Sequence, residues 1–287
     1  MLIPGGASTF LGGKNAMFNI SNILGLKEGA DAMNALKVGG AGAVITGLLA
    51  EREQQEGESD TDYANRRAQV NDQLKIQFSR LLDYLDFLPI NVISIDRIEA
   101  DDTIAYIAHT LMKEDVTIMS SDQDFLQLVN DRITVWSPTK KKFYTPRMVM
   151  DDYGVPAHNF LMYKVLMGDK SDNIEGVKGL GPKKLPKIVP DLLTQNTLDL
   201  DFILEHAGKG EEPMHKRIVE SETQLKTNEE LMDLKNPPIS GELKLQITRL
   251  IEAPINLLSR NDFIIMYNED QLGNAIASPD LWLREHF

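Results

Sequence analysis

The chain has 287 residues, enough for one large domain or two modest ones with a sizeable buried core. Hydrophobic residues make up 42% and charged residues 25%, which excludes wholesale disorder. The absence of cysteine excludes disulfides, zinc fingers, iron–sulfur clusters and thiol catalysis. No apolar run approaches the roughly 20 residues that cross a bilayer, and Met1-Leu2-Ile3-Pro4 lacks the basic flank of a secretory signal, so a cytosolic protein is expected. The net charge of −13 argues against a nucleic-acid partner unless the acids are gathered where bound metal cations reverse the local sign.

Eleven of the 20 glycines fall within the first 57 residues. Glycine weakens helix and strand interiors alike, so this stretch is expected to be loosely structured, with one helix around Ala41–Gln54 and an acidic, solvated run over Glu51–Asp62. From Val70 the pattern sharpens. Leu74, Phe78, Leu81, Leu82, Leu85 and Leu88 recur at three- and four-residue steps, an amphipathic helix ended by Pro89. Asn91–Ile95 (NVISI) reads as a strand, Ala100–Met112 as a helix, Val116–Met119 as a strand, Asp124–Val129 as a short helix and Ile133–Trp136 as a third strand. Strands alternating with helices imply βαβ crossovers and a parallel sheet covered on both faces. Lys140–Lys142, between Trp136 and Phe143-Tyr144, suits a hairpin tip. From Pro146 onward the pattern is mainly helical, with amphipathic stretches at Leu198–Leu204 and Leu245–Ile251. The five histidines show no ligand spacing, and Trp136 and Trp282 read as packing residues.

Three acidic groups stand at element ends, where open α/β sheets carry function. They are Glu99, Asp101 and Asp102 after NVISI, Asp122 and Asp124 after VTIMSS, and Asp169 and Asp172 after the apolar helix ending at Met167. Taken singly, each is as well explained by helix capping and the macrodipole, Asp122 above all. Taken together, converging carboxylates without partners would repel and raise one another's pKa values. Divalent cations resolve that conflict, and oxygen-only ligands favour Mg²⁺ or Mn²⁺. Two such ions about 3.5–4 Å apart are a standard device for phosphodiester cleavage.

Beside the third group lies Gly176-Val177-Lys178-Gly179-Leu180-Gly181-Pro182-Lys183-Lys184. Gly179 and Gly181 suit a tight turn between two short helices, with Pro182 at the first position of the second. Free N–H groups there, with Lys183, Lys184 and Lys187 beside them, would hold a backbone phosphate without reading bases, and Lys178 joins the expected DNA-binding residues. From Lys170 to Ile188 five lysines face two acids, a reversal of the overall charge.

The succession IEADD, SSDQDF and GDKSDNIEGVKGLGPKK closely resembles the 5′-nuclease family of flap endonucleases and 5′→3′ exonucleases, its bacteriophage exonuclease/RNase H members most of all, since WSPTKKKFYTP also follows in their manner. The resemblance runs from about Val70 to Val189. It implies a PIN-like parallel sheet flanked by helices over 70–150, then a helical region over 151–287 with a helix–hairpin–helix at about 168–189 that often binds K⁺ through main-chain carbonyls. Glu99, Asp101 and Asp102 would match the first metal group, and Asp122, Asp124, Asp169 and Asp172 the ligands around the second. Gly179, Gly181, Lys183 and Lys184 would fall in the duplex-binding hairpin. Water, not a protein nucleophile, would attack.

Residues 1–69 depart from that pattern. Family members begin with a buried strand ending in Asp and a second Asp-ended strand before a basic arch. Neither strand is legible here, and Gly12 stands where an Asp is required; Tyr63, Arg66 and Arg67 read either as an ordinary polar helix start or as an arch remnant that would touch DNA. The leading expectation is a monomeric, metal-dependent, structure-specific 5′ nuclease of replication or repair, acting on branched, flapped or 5′-ended DNA and on RNA–DNA hybrids, in a bacterial or phage-infected cytoplasm. The alternative, favoured by the two missing carboxylates, is a relative that binds branched or duplex DNA without cleaving it. A phosphatase or nucleotide-binding protein is a third reading, set back by the lack of a P-loop or GxGxxG after a strand.

Overall fold

The computed structural model describes residues 17–18, 59, 76–96, 98–194, 196–273, 275–276 and 278–287. The helix expected at Ala41–Gln54, the acidic run at Glu51–Asp62 apart from Ser59, and the arch residues Tyr63, Arg66 and Arg67 lie outside them, while Met17–Phe18 forms a two-residue strand in a stretch where the sequence shows no strand. The chain divides into two compact units. One joins described residues up to Ile95 with Leu245–Phe287, and the other is Asp96–Lys244.

The second unit opens with α1, Ala100–Tyr106, which continues as a wider π-helical turn over Ile107–Leu111. Its buried face carries Ile104, Ala105, Ile107 and Ala108. Strand β1, Val116–Met119, pairs in parallel with β2, Ile133–Ser137, in the register Val116↔Ile133 to Met119↔Trp136. The crossover between them holds a 3₁₀ helix, Asp124–Leu128, whose Phe125, Leu126 and Leu128 are buried. Each such burial contributes roughly 1.5–3 kcal/mol relative to exposure. Strand β3, Lys142–Tyr144, returns antiparallel to β2, and Lys141 takes the left-handed conformation at φ 50° in the hairpin tip that the sequence anticipates. Helix α2, Pro146–Tyr153, starts with Pro146 in its first turn behind the Thr145 cap and stops at Gly154, left-handed at φ 68°.

Helix α3, Phe160–Met167, buries Phe160 and places Leu161, Met162, Val165 and Leu166 in the unit's helical core. It ends at Gly168, the start of a two-residue strand β4, Gly168–Asp169, antiparallel to β5, Ile174–Glu175. Helices α4 (Leu185–Ile188), α5 (Leu200–Lys209), α6 (Pro213–Glu220) and α7 (Glu222–Met232) complete that core with Leu185, Ile203, Ile218 and Leu225.

In the other unit, helical residues 76–86 carry the expected three-and-four periodicity and end before Pro89. Tyr84 and Leu88 join a cluster with Phe263, Tyr267 and Leu283. Asp270 binds Arg80 Nε at 2.9 Å and accepts the Tyr84 hydroxyl at 2.8 Å, tying helical residues 76–86 to the helix Arg260–Glu269.

Two expectations are corrected. Asn91–Ile95 is not a strand. Its β-rich side chains record only a fit to a half-buried surface, and a strand also requires a hydrogen-bonding neighbour, which none of the described ladders supplies. Pro182 does not open a helix either. It lies in a turn, and the following helix spans only Leu185–Ile188, with Pro186 in its first turn.

Candidate metal centre

The acids after β1 are placed by backbone hydrogen bonding. Ser120 N–H donates to the Trp136 carbonyl at 3.0 Å, which extends the parallel ladder to the strand's end. Asp122 N–H then donates to Ser120 Oγ, and Asp124 N–H to Asp122 Oδ1, each at 3.0 Å. Asp122 therefore uses one oxygen to close an Asx turn in the loop, while the N-cap position of the following helix belongs to Gln123, so Asp122 is not the cap that the sequence suggests. Asp124 opens the 3₁₀ helix with its side chain 19% exposed.

Asp169 arrives from the other side, at the end of β4. Its Oδ1 accepts Ser171 N–H at 2.7 Å and also the Ser171 hydroxyl. Oxygens of Asp124, Asp169 and Asp172 all lie within 4.8 Å of one another. Metal–oxygen bonds of about 2.0–2.6 Å span such a gap with one cation. Lys164 of α3 stands between two of these carboxylates, with Nζ 2.7 Å from Asp124 Oδ1 and paired with Asp169 Oδ2. The contact with Asp124 is charge pairing rather than a well-directed hydrogen bond, so the buried Oδ1 keeps unsatisfied acceptor capacity.

The electrostatics follow the packing. Burial pushes the Asp124 carboxyl above the usual range, with Asp122 and Asp169 adding to the rise and Lys164 opposing it. Burial would also raise Asp169, but hydrogen bonds from Lys164 and Ser171 outweigh it and hold that carboxyl below the usual range. For Lys164, desolvation is overcome by Asp124 and Asp169, and its ammonium is held more firmly than usual. Three carboxylates against one ammonium, with a buried oxygen still unsatisfied and no nitrogen or sulfur donor, fit a hard divalent cation.

Of the seven acids singled out in the sequence, three share this centre. Glu99, Asp101 and Asp102 stand outside the 4.8 Å group, on the N-terminal turn of α1, which packs against the 3₁₀ helix carrying Asp124. Burial raises the Asp102 carboxyl, and Glu99 adds to it. Asp122 is also outside the group, two residues from Asp124.

The lysine-rich turn is held by one of its own side chains and by an arginine of α6. Gly179 sits at φ 81°, Lys184 Nζ donates to the Gly179 carbonyl at 3.0 Å, and Arg217 Nη1 donates to the Lys178 carbonyl at 3.1 Å. Lys178, Lys183 and Lys184 are exposed, and Gly181 needs no special conformation. Two of the three hairpin lysines are also engaged. Lys140 donates to the hydroxyls of Tyr144 and Tyr153 at 3.1 and 3.2 Å, and Lys142 pairs with Asp152 at 2.6 Å. Tyr153 passes the chain on, donating to Gln123 Oε1 at 2.9 Å between the two acids of the loop.

Sequence reasoning missed Lys164 and Asn228. A lone charge inside the apolar run FLMYKVLM, five residues before Asp169, is the signal that could have found Lys164. Asn228 has no such signal. Fully buried on α7, it donates to the Val165 carbonyl at 3.1 Å and the Glu175 carbonyl at 2.8 Å, and accepts Gln224 Nε2 at 2.8 Å. It thus clamps α3 to β5 around the turn that presents Asp169. Asn228→Ala would strand these partners at about 1–3 kcal/mol for each buried group left unsatisfied. We expect a loss of roughly 2–4 kcal/mol in a denaturant melt; a change under about 0.5 kcal/mol, the size of an ordinary surface substitution, would refute the clamp.

Residues 43–154 match the family model for the 5′-3′ exonuclease N-terminal, resolvase-like domain. The chain is 29% identical to a 5′-3′ exonuclease of Aquifex aeolicus over 198 residues, 66% of this chain and 68% of that protein. It is 37% identical over 124 residues to the 5′-3′ exonuclease of Buchnera aphidicola subsp. Schizaphis graminum, 42% of this chain and 43% of that one. The chain is thus similar to 5′-3′ exonucleases both in its match to the family model and in its sequence identity to these relatives. The DNA polymerase I of Caldicellulosiruptor bescii is 30% identical over 217 residues, 70% of this chain but 25% of that far longer protein. A structure of bacteriophage T5 D15 protein co-crystallised with metal ions shares this chain's fold at a TM-score of 0.50 and 24% identity, covering 77% of this chain and 75% of that one. The family match begins at residue 43, well before Val70, so family likeness reaches into the stretch that reads as atypical by inspection.

Proposed function

We propose that this chain is a divalent-metal-dependent 5′ nuclease that hydrolyses phosphodiester bonds in branched, flapped or 5′-ended DNA, with RNA–DNA hybrids as a further substrate, during replication or repair. The observation that carries this reading is the convergence of Asp124, Asp169 and Asp172 within 4.8 Å from two separate chain segments, in a chain whose relatives are 5′-3′ exonucleases. Mg²⁺ or Mn²⁺ is the expected ion, with two per site, and such ions lower the pKa of an attacking water and stabilise the leaving oxygen. The residues do the holding. Asp124, Asp169 and Asp172 would ligate one ion, with Asp122 two residues from Asp124, while Glu99, Asp101 and Asp102 would ligate the other.

Lys178, Lys183 and Lys184 present exposed ammonium groups for backbone phosphates, and Arg66 and Arg67 belong to the same proposal. A K⁺ ion in the turn would draw on main-chain carbonyls other than those of Lys178 and Gly179, which already accept from Arg217 and Lys184. We place the protein in the cytoplasm as a monomer; among the described residues no helix is long and apolar enough to cross a membrane. The non-cleaving alternative has no described residue behind it, since Gly12, which suggests it, lies outside them.

The test is a 5′-flap cleavage assay over Mg²⁺ and Mn²⁺ concentrations, paired with binding of the same substrate. Cleavage that requires the cation and stops on chelation is the expected result. Tight, salt-sensitive binding with no turnover at any cation concentration would move the chain to the non-cleaving reading.

A further inference from the structure

Lys164 is the only charged residue of α3, and its side chain is 10% exposed amid Leu161, Val165 and Leu166. Its ammonium donates a hydrogen bond to Asp169 Oδ2 and faces a second carboxylate as well. It lies between Asp124 Oδ1, at 2.7 Å, and Asp169 Oδ2. These belong to two of the three carboxylates that bring oxygens within 4.8 Å of one another. A divalent cation coordinated at about 2.0–2.6 Å would claim the same lone pairs. An ammonium and a dication at that separation repel, and the low exposure of the site leaves little water to screen them.

From this geometry we infer that Lys164 is a built-in counter-ion of the metal centre. In the metal-free protein it holds Asp124 and Asp169 together, and it withdraws from their oxygens when a divalent cation enters, so it sets how tightly the centre binds metal. Lys164 is a positioning residue in this account. The inference rests on the reading that these carboxylates take a divalent cation, and it goes beyond that reading by making metal affinity a competition with a side chain. A lysine present only for fold stability would stabilise the chain equally with or without metal and would leave metal affinity unchanged.

The experiment is a Mn²⁺ titration of the full chain, following free Mn²⁺ by electron paramagnetic resonance, in the wild type, Lys164→Met, Lys164→Gln and Asp169→Asn. Removing the competing charge should tighten Mn²⁺ binding by about tenfold or more in both Lys164 variants, while their metal-free melting temperature falls. Binding equal to or weaker than wild type in folded Lys164 variants overturns the inference. Wild-type binding that Asp169→Asn leaves untouched overturns instead the metal reading beneath it. If neither Lys164 variant folds, reductive methylation of wild-type Lys164 decides. Greater modification with Mn²⁺ than without it supports withdrawal, and equal or lower modification overturns it.

Discussion

Replacing Asp169 by asparagine should abolish divalent-cation binding and phosphodiester cleavage together. The substitution keeps the size of the side chain and its ability to accept from Ser171, so a folded protein is expected by circular dichroism. What it removes is the charge that offsets Lys164 and completes the trio with Asp124 and Asp172. Losing a residue that merely orients a metal ligand typically costs 10–100-fold, so losing a ligand should cost more than about a hundredfold in cleavage rate. Asp124→Asn should behave alike, because its buried Oδ1 is the acceptor that protein groups leave under-satisfied. Metal affinity in the wild type should also weaken as pH falls from neutrality. Burial raises the Asp124 carboxyl, and a protonated carboxyl must release its proton before it can ligate. Flap cleavage by Asp169→Asn within a few-fold of wild type would remove this centre from the reaction.

The parts legible in the sequence are those that local chemistry decides. VTIM and ITVWS carry enough β-branched and aromatic character to be strands in most surroundings, and the KKK tip with Lys141 at positive φ is a turn between two such runs. Helix α2 is announced by Thr145-Pro146 and closed by Gly154, which are local signals too. NVISI failed because a strand is completed by a partner from elsewhere in the chain. The second helix of the lysine-rich segment shrank to Leu185–Ile188 because the local contact of Lys184 and the long-range one of Arg217, not the proline, fix the turn before it. At the centre, the acids were found by their spacing, but which of them meet was not. Asp124 and Asp169 are joined by a lysine on α3 and by the clamp of Asn228 on α7, 59 residues beyond Asp169 in the chain, and neither relation has a sequence period.

The second large effect lies in two glycines rather than in a charge. Gly168 and Gly176 face each other across the start of the β4–β5 hairpin with their backbones in contact. A methyl group on Gly168 would lie 2.5 Å from the Ile174 carbonyl oxygen and 2.8 Å from the Glu175 carbonyl carbon. One on Gly176 would press into the Met167 carbonyl group and the Gly168 nitrogen. All of these neighbours are backbone, so no side chain can swing aside to make room. Gly168 also adopts φ 71°, ψ 178°, a conformation that is essentially glycine's alone. Gly168→Ala therefore combines about 1–3 kcal/mol of backbone strain with about 1–3 kcal/mol of overpacking. Gly176→Ala carries the steric part alone. Since Asp169 is the next residue after Gly168, any shift that relieves the clash moves the carboxylate away from Asp124. Loss of stability and loss of metal binding should accordingly appear in the same variants. Gly208→Ala on α5, where a methyl group meets nothing within 4 Å, is the matched control and should gain up to about 1 kcal/mol from helix propensity. A Gly176→Ala protein that melts, binds Mn²⁺ and cleaves like the wild type would mean that the hairpin does not hold Asp169 in the position described.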